Sequence, residues 1–266
     1  MKDSITIGWF PCYGNWGDQL NKILCEKISK KIVKFTDTVT PTEFCYYVIG
    51  SILGWSASPN CEIWGTGFIS KDSVFNSIPQ KIHAVRGPLT RNKILEQNIE
   101  CPEVYGDPAL LYPMFYKPNI KKQYKYGLIP HYIDQNSEWI QRFQNRKDVK
   151  IINVIDPTIN RFVDEVNSCE IILSSSLHGI ICGDSYGIPS YWIKLSDKVF
   201  GEGFKFRDYI LSVKRTNLTP IIPKLRDSIK DLESQFYPYK IDIDLERLYN
   251  AYPFKSVENH NFNQLR

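Results

Sequence analysis

The chain is poor in the features that mark secreted, membrane-spanning or nucleic-acid-binding proteins. Its seven cysteines (Cys12, Cys25, Cys45, Cys61, Cys101, Cys169 and Cys182) are odd in number, widely spaced and without a CxxC pair. That distribution argues against a disulfide framework or a zinc ribbon, and for reduced, mostly buried thiols of a cytosolic protein. No run approaches the roughly 18–20 apolar residues that cross a bilayer, and the first ten residues, MKDSITIGWF, lack the charged-then-apolar order of a signal peptide. Dense Lys/Arg blocks are missing, and a net charge of +4 makes a small anion an expected partner and nucleic acid an unexpected one. With four histidines and no clustered His/Asp/Glu spacing, neither a metal nor a cofactor is expected. There is no GxGxxG dinucleotide fingerprint, and the serines carry no GxSxG elbow of a serine hydrolase.

What is there reads as a folded α/β protein. The 266 residues are 42% hydrophobic and 23% charged, which suits one large domain or two small ones. Aromatics, at 14%, fit sugar stacking and a Tyr/Phe-rich core equally well. Short apolar runs alternate with glycine turns and helical patterns. Residues 4–10 predict a strand that enters the loop PCYGNWGD and then a helix through Leu20, Ile23, Leu24 and Ile28. Similar units follow at 46–53, 62–69, 81–85 and 103–111, then at 125–130, 149–155, 171–173 and 189–195. Such repetition predicts parallel sheets. The lysine-rich, proline-containing stretch 113–124 is the expected linker. We therefore expect an N-terminal Rossmann-like domain over 1–118, a C-terminal one over 119–225, and a helical tail over 226–266.

The most informative stretch is 171–187, IILSSSLHGIICGDSYG. Ile171, Ile172 and Leu173 predict an interior strand, with Ser174, Ser175 and Ser176 at its carboxyl end. Leu177 then opens a helix whose first turn, with its unpaired N–H groups and His178, suits an anion. A serine run before a helix is also a common cap, and a histidine there is often structural. Arg86 closes another strand directly before a helix, a position for a carboxylate or phosphate, or for a salt bridge at a turn.

In order, the blocks GNWGDQLN, VIGSIL, IWGTGF, VRGPLT, YGDPALL, GLIPHY, SSSLHGIICGDSYGIP and FKFRDY resemble the polysaccharide pyruvyl transferases, over residues from about 5 to about 212. The resemblance implies a GT-B-like fold, two Rossmann-like domains with parallel sheets facing across a cleft. It implies transfer of pyruvyl from phosphoenolpyruvate to a sugar of a surface polysaccharide, giving a ketal and phosphate. By position His178 is then the catalytic residue and Arg86 holds the donor. Many members carry an arginine at the position of Ser176, so donor binding here is expected to involve Ser174, Ser175, Ser176, Leu177, Lys205 and Arg207 besides Arg86. The acceptor is expected near Asn15, Trp16, Asp18, Asp107 and His131. The expected location is the cytoplasm, with at most peripheral contact at the inner membrane face if the acceptor oligosaccharide is lipid-linked. A nucleotide-sugar-dependent glycosyltransferase and a non-catalytic carbohydrate-binding protein are the alternatives.

Overall fold

The computed structural model describes residues 3–11, 14–37, 43–55, 59–156 and 158–254. Cys12, Tyr13, Pro157 and the end of the tail, with His260, lie outside the described residues. Among the described residues, nine strands form two sheets. The first takes β1 (Ser4–Gly8), β2 (Ile32–Thr36), β3 (Cys45–Tyr47), β4 (Cys61–Trp64) and β5 (Lys81–Ala84), in the order β2-β1-β3-β4-β5. The second takes β6 (Tyr124–Ile129), β7 (Val149–Ile151), β8 (Cys169–Ser174) and β9 (Ser190–Trp192), in the order β7-β6-β8-β9. Every pairing is parallel, so each connection crosses over the sheet instead of turning back as a hairpin.

Helices supply the crossovers from β1 to β2 and throughout the second sheet, while β2, β3, β4 and β5 follow one another with no helix among the described residues. The helices are α1 (Trp16–Ser29), α2 (Pro88–Leu95), α3 (Glu138–Gln141), α4 (Ile159–Asn167), α5 (Leu177–Ser185), α6 (Phe204–Ser212), α7 (Ile229–Leu232) and α8 (Leu245–Asn250). Helix α1 forms because Trp16, Leu20, Leu24 and Ile28 make one apolar stripe, and all four are buried. Its start is capped by the Asn15 side chain and its end by Lys30 in the left-handed region, φ 59°. One apolar core joins the two sheets, running from Ile7, Trp16 and Trp64 to Ile129, Ile172, Ile180 and Phe206.

Several elements differ from expectation. In the strand-and-turn unit expected over 46–53 the strand is Cys45–Tyr47, and in the unit expected over 103–111 the short strand is a single bridge, Val85 to Tyr105, before a 3₁₀ helix, Pro108–Met114. Strand β2 carries no alternation that would announce it, since only Val33 of its five residues is buried. The helix expected over 224–236 is one turn, α7, plus a 3₁₀ turn. Residues 116–123 have neither helix nor strand. The described cysteines, all but Cys12, are free and buried. Among the described residues no helix is long and apolar enough to cross a membrane.

The tail closes the structure over both sheets. Trp64 donates its indole N–H to the Leu248 carbonyl at 2.9 Å, and Phe254 packs edge-on against Trp64 and against Tyr46. Further up the chain, Tyr239 donates its hydroxyl to Asp184 of α5 at 2.5 Å. Asp184 also accepts from Arg215 at 2.9 Å and Tyr209 at 2.9 Å, while the Arg215 guanidinium lies 3.6 Å from the centre of the Tyr239 ring. Breaking such a buried pair from one side leaves an uncompensated charge. Asp184→Ala is expected to lower unfolding stability by about 3–5 kcal/mol, measured by urea denaturation.

Candidate functional site

The site is built where β8 turns into α5. The strand emerges at Ser174, and its hydroxyl ties the turn: it bonds the Ile129 carbonyl at 2.9 Å and the Ser176 carbonyl at 2.8 Å, and accepts from the Ser176 amide at 3.0 Å. Ser175 accepts from the His131 amide at 2.8 Å and donates to Asp134 at 3.0 Å. Ser176, the N-cap residue of α5, makes no capping bond with its side chain and lines a cavity, as do Leu177 and His178. Two of the three serines thus hold the turn, and the third faces the cavity.

His178 is tied to the first sheet through Asn15. The Asn15 Oδ1 accepts the Gly17 amide at 3.2 Å and lies 3.1 Å from His178 Nδ1. Because that atom already accepts one N–H, it is the amide oxygen, and His178 Nδ1 donates to it. Nε2 therefore carries a lone pair. Gly17 is what allows the approach, since a Cβ there would lie 2.2 Å from Nδ1.

Arg86 takes another path. Its guanidinium is fully buried; Nε donates to Asp208 at 3.0 Å, Nη2 to the Phe68 carbonyl at 2.6 Å and Nη1 to Ser51 at 2.5 Å. Asp208 also accepts from the Thr90 amide at 2.9 Å and the Thr90 hydroxyl at 2.7 Å. Arg86 is not among the cavity-lining residues; it holds Ser51, which is. Asp208 belongs to α6, so the pair pins that helix, and Lys205, one turn earlier, enters the cavity. Lys205 is nine-tenths buried, yet among the described residues its ammonium has no hydrogen-bond or ion-pair partner. Arg207, two positions on, points elsewhere, as helical spacing dictates: it donates to the Glu202 carbonyl at 2.8 Å and lies over Trp192.

The cavity has a volume of about 260 Å³ and brings together Asn15, Asp18, His131, Ser176, His178 and Lys205. Its histidines, its lysine and its aspartate are displaced toward neutrality. Burial, then the nearby Lys205 and Arg86 charges, push His178 down to about 3. Burial and Lys205 do the same to His131, to about 3. Burial and Arg86 lower Lys205 to about 8, against the pull of Asp18. Asp18 rises to about 8 through burial, with Lys205 opposing and Asp107 assisting. A low-dielectric site holding an unpaired cation disfavours further positive charge and favours an incoming anion.

Other expected site residues lie outside this cavity. Trp16 is wholly buried, stacked on Phe162 with its indole N–H on the Ile159 carbonyl at 3.2 Å, and offers no face to a ligand. Asp107 caps the 3₁₀ helix by accepting the Ala109 amide at 3.0 Å, and its buried Oδ2 has no hydrogen-bond partner among the described residues. A second cavity, about 830 Å³, adjoins the first at Phe200 and is lined by Asp134, Trp192, Lys194, Ser196, Glu202 and Arg207. Asp208, Ser51 and Asp134 were not singled out by sequence pattern. The only signal for Asp208 is its place in the FKFRDY block.

The parallel α/β scaffold thus carries a small cavity, lined by a buried lysine and two histidines, beside the N-terminus of α5. The pattern that defines the polysaccharide pyruvyl transferase family matches residues 52–197, more than half of the chain, and the chain belongs to that family. It is similar to the uncharacterized protein L143 of Acanthamoeba polyphaga mimivirus, 27% identical over 263 residues, covering 94% of this chain and 88% of that one. It is also similar to the succinoglycan biosynthesis protein ExoV of Rhizobium meliloti (strain 1021), 27% identical over 212 residues, covering 76% of this chain. The match spans 62% of the length of ExoV.

The depressed histidines carry a pH signature. Their folded values, about 3, lie below the ordinary 6.5, so the unfolded chain binds more protons between these limits. Their stabilising contribution is therefore present above about 6.5 and is lost as the pH falls toward 3. Asp18, raised to about 8, contributes with the opposite sign over the same range, so the signature is read from the rings themselves. The expected outcome is no titration of the His131 and His178 ring protons by NMR between neutral pH and about pH 5.

Proposed function

We propose that the chain transfers the pyruvyl unit of phosphoenolpyruvate to a saccharide of a surface polysaccharide, forming a pyruvate ketal and releasing phosphate. The observation that carries this reading is the unpaired Lys205 ammonium in a cavity that also holds His178 and the N-terminal turn of α5, in a member of this family. A donor with a carboxylate and a phosphate meets there one cation and the amides of Leu177 and His178, which precede the helical ladder. Lys205 takes the part of the arginine found in other members at the position of Ser176. Arg86 contributes its charge from behind the wall and the placement of Ser51, with no direct bond to the donor.

In this reading the fold is GT-B-like, with the carboxyl edges of the two sheets bordering the site, and the acceptor sugar enters the cavity of about 830 Å³ that Trp192 lines. His131 borders the donor side and Arg207 the acceptor side. The enzyme works in the cytoplasm, at the inner membrane face where the oligosaccharide is lipid-linked.

Ligand-induced melting shifts test the donor. Phosphoenolpyruvate is expected to raise the melting temperature, with UDP- and GDP-sugars giving no shift; the reverse pattern means a nucleotide-sugar glycosyltransferase. Lys205→Met is expected to weaken phosphoenolpyruvate binding about 10- to 100-fold, the range of one charge-assisted hydrogen bond, measured by calorimetry. His178→Ala is expected to lower phosphate release by about 10²–10⁴-fold with the melting temperature kept.

A further inference from the structure

We infer that Asp18 is the general acid of this site and that His178 is its general base. The inference rests on the donor reading above. Asp18 lies in the first turn of α1 and lines the same cavity as His178 and Lys205. Among the described residues its carboxyl makes no hydrogen bond and no close ion pair. A helix N-terminus and a nearby ammonium both favour a carboxylate. Burial and the second carboxyl, Asp107, oppose them and hold the proton on, so that Asp18 titrates at about 8. The groups that act on it are Lys205 from α6 and Asp107 from the start of the 3₁₀ helix, with His131 and His178 in the same cavity and Arg86 behind Lys205.

His178 is the opposite case. Its Nδ1–H is engaged by Asn15, its Nε2 lone pair is free to accept, and its surroundings disfavour the imidazolium. Two titratable groups whose settings drive them in opposite directions divide acid and base work between them. An arriving phosphate and carboxylate repel a negative Asp18, so the bound donor tightens its hold on the proton.

The steps balance. Asp18 gives its proton to the methylene carbon of phosphoenolpyruvate, whose π pair forms the new C–H bond and leaves an electron-poor C2. A sugar hydroxyl oxygen bonds to C2 while its proton passes to Nε2 of His178. The C2–O bond to phosphate then breaks, with the pair leaving on phosphate, which takes the proton from His178. A second hydroxyl of the same sugar closes the ketal and returns its proton to the Asp18 carboxylate. Two hydroxyl protons enter; one ends in the methyl group and one on phosphate.

The test is calorimetric titration of the full chain with phosphoenolpyruvate in two buffers of different ionisation enthalpy, near pH 8, where Asp18 and Lys205 are each half-protonated. Wild type is expected to take up close to one proton on binding, about half from each group. Asp18→Asn is expected to bind at least as tightly and to lose about half of that uptake. In D₂O, wild type is expected to exchange the vinyl hydrogens of phosphoenolpyruvate at least ~10²-fold faster than Asp18→Asn, as followed by proton NMR, with Asp18→Glu recovering part of the rate. Undiminished uptake in Asp18→Asn, or equal exchange rates, would overturn the inference. A wild-type chain that binds no phosphoenolpyruvate overturns the donor reading instead, and the inference with it.

Discussion

The buried pair between Arg86 and Asp208 is the contact on which the rest of the site depends. Removing two charges from water costs several kcal/mol per ion, and here the cost is offset by bonding nearly every remaining polar atom. Phe68 and Ser51 take the other guanidinium N–H groups, and Thr90 gives two bonds to the carboxylate. Gly87 lets α6 come this close, since a Cβ there would lie 2.0 Å from the Asp208 carbonyl oxygen. The pair joins the end of the first sheet to a helix that follows the second. It thereby fixes where Lys205 sits, and Lys205 in turn lowers both cavity histidines.

Those electrostatics leave the cavity under-satisfied without an anion. Lys205 is buried with no hydrogen-bond or ion-pair partner among the described residues, Asp18 is held near the point of losing its proton, and the histidines are neutral. Local rules are broken at one place and obeyed around it, the pattern of a site organised for a ligand and not for stability. The order of the surroundings supports this contrast. Ser174, Ser175, Asp134 and Asn15 form satisfied networks that hold the turn rigid, while among the described residues Lys205, the Asp18 carboxyl and the Ser176 hydroxyl face the cavity without a side-chain hydrogen bond.

Much of this was legible in the sequence where chemistry is local. The apolar run of β8, the serines and the glycine after His178 announce a strand, a turn and a helix, because each depends on neighbours a few residues away. Strand β2 was not legible, because Ile32 and Phe35 are exposed and fall on different faces, so no period of two survives. Arg86 is readable as a cation at a strand end, but its true partner lies 122 residues away. Trp16 looks like a sugar platform in a glycine loop; it is the first residue of the apolar stripe of α1 and is swallowed by Phe162. Lys205 and Arg207 read as a matched pair of cations, yet helical geometry sends them to different cavities.

The indole N–H of Trp64 finds its acceptor at Leu248, and its ring is covered by Tyr252 and Phe254. The bond joins residues 184 positions apart, so completing this side of the first sheet means closing a very long loop. Contacts of that separation are the ones whose closure entropy slows folding.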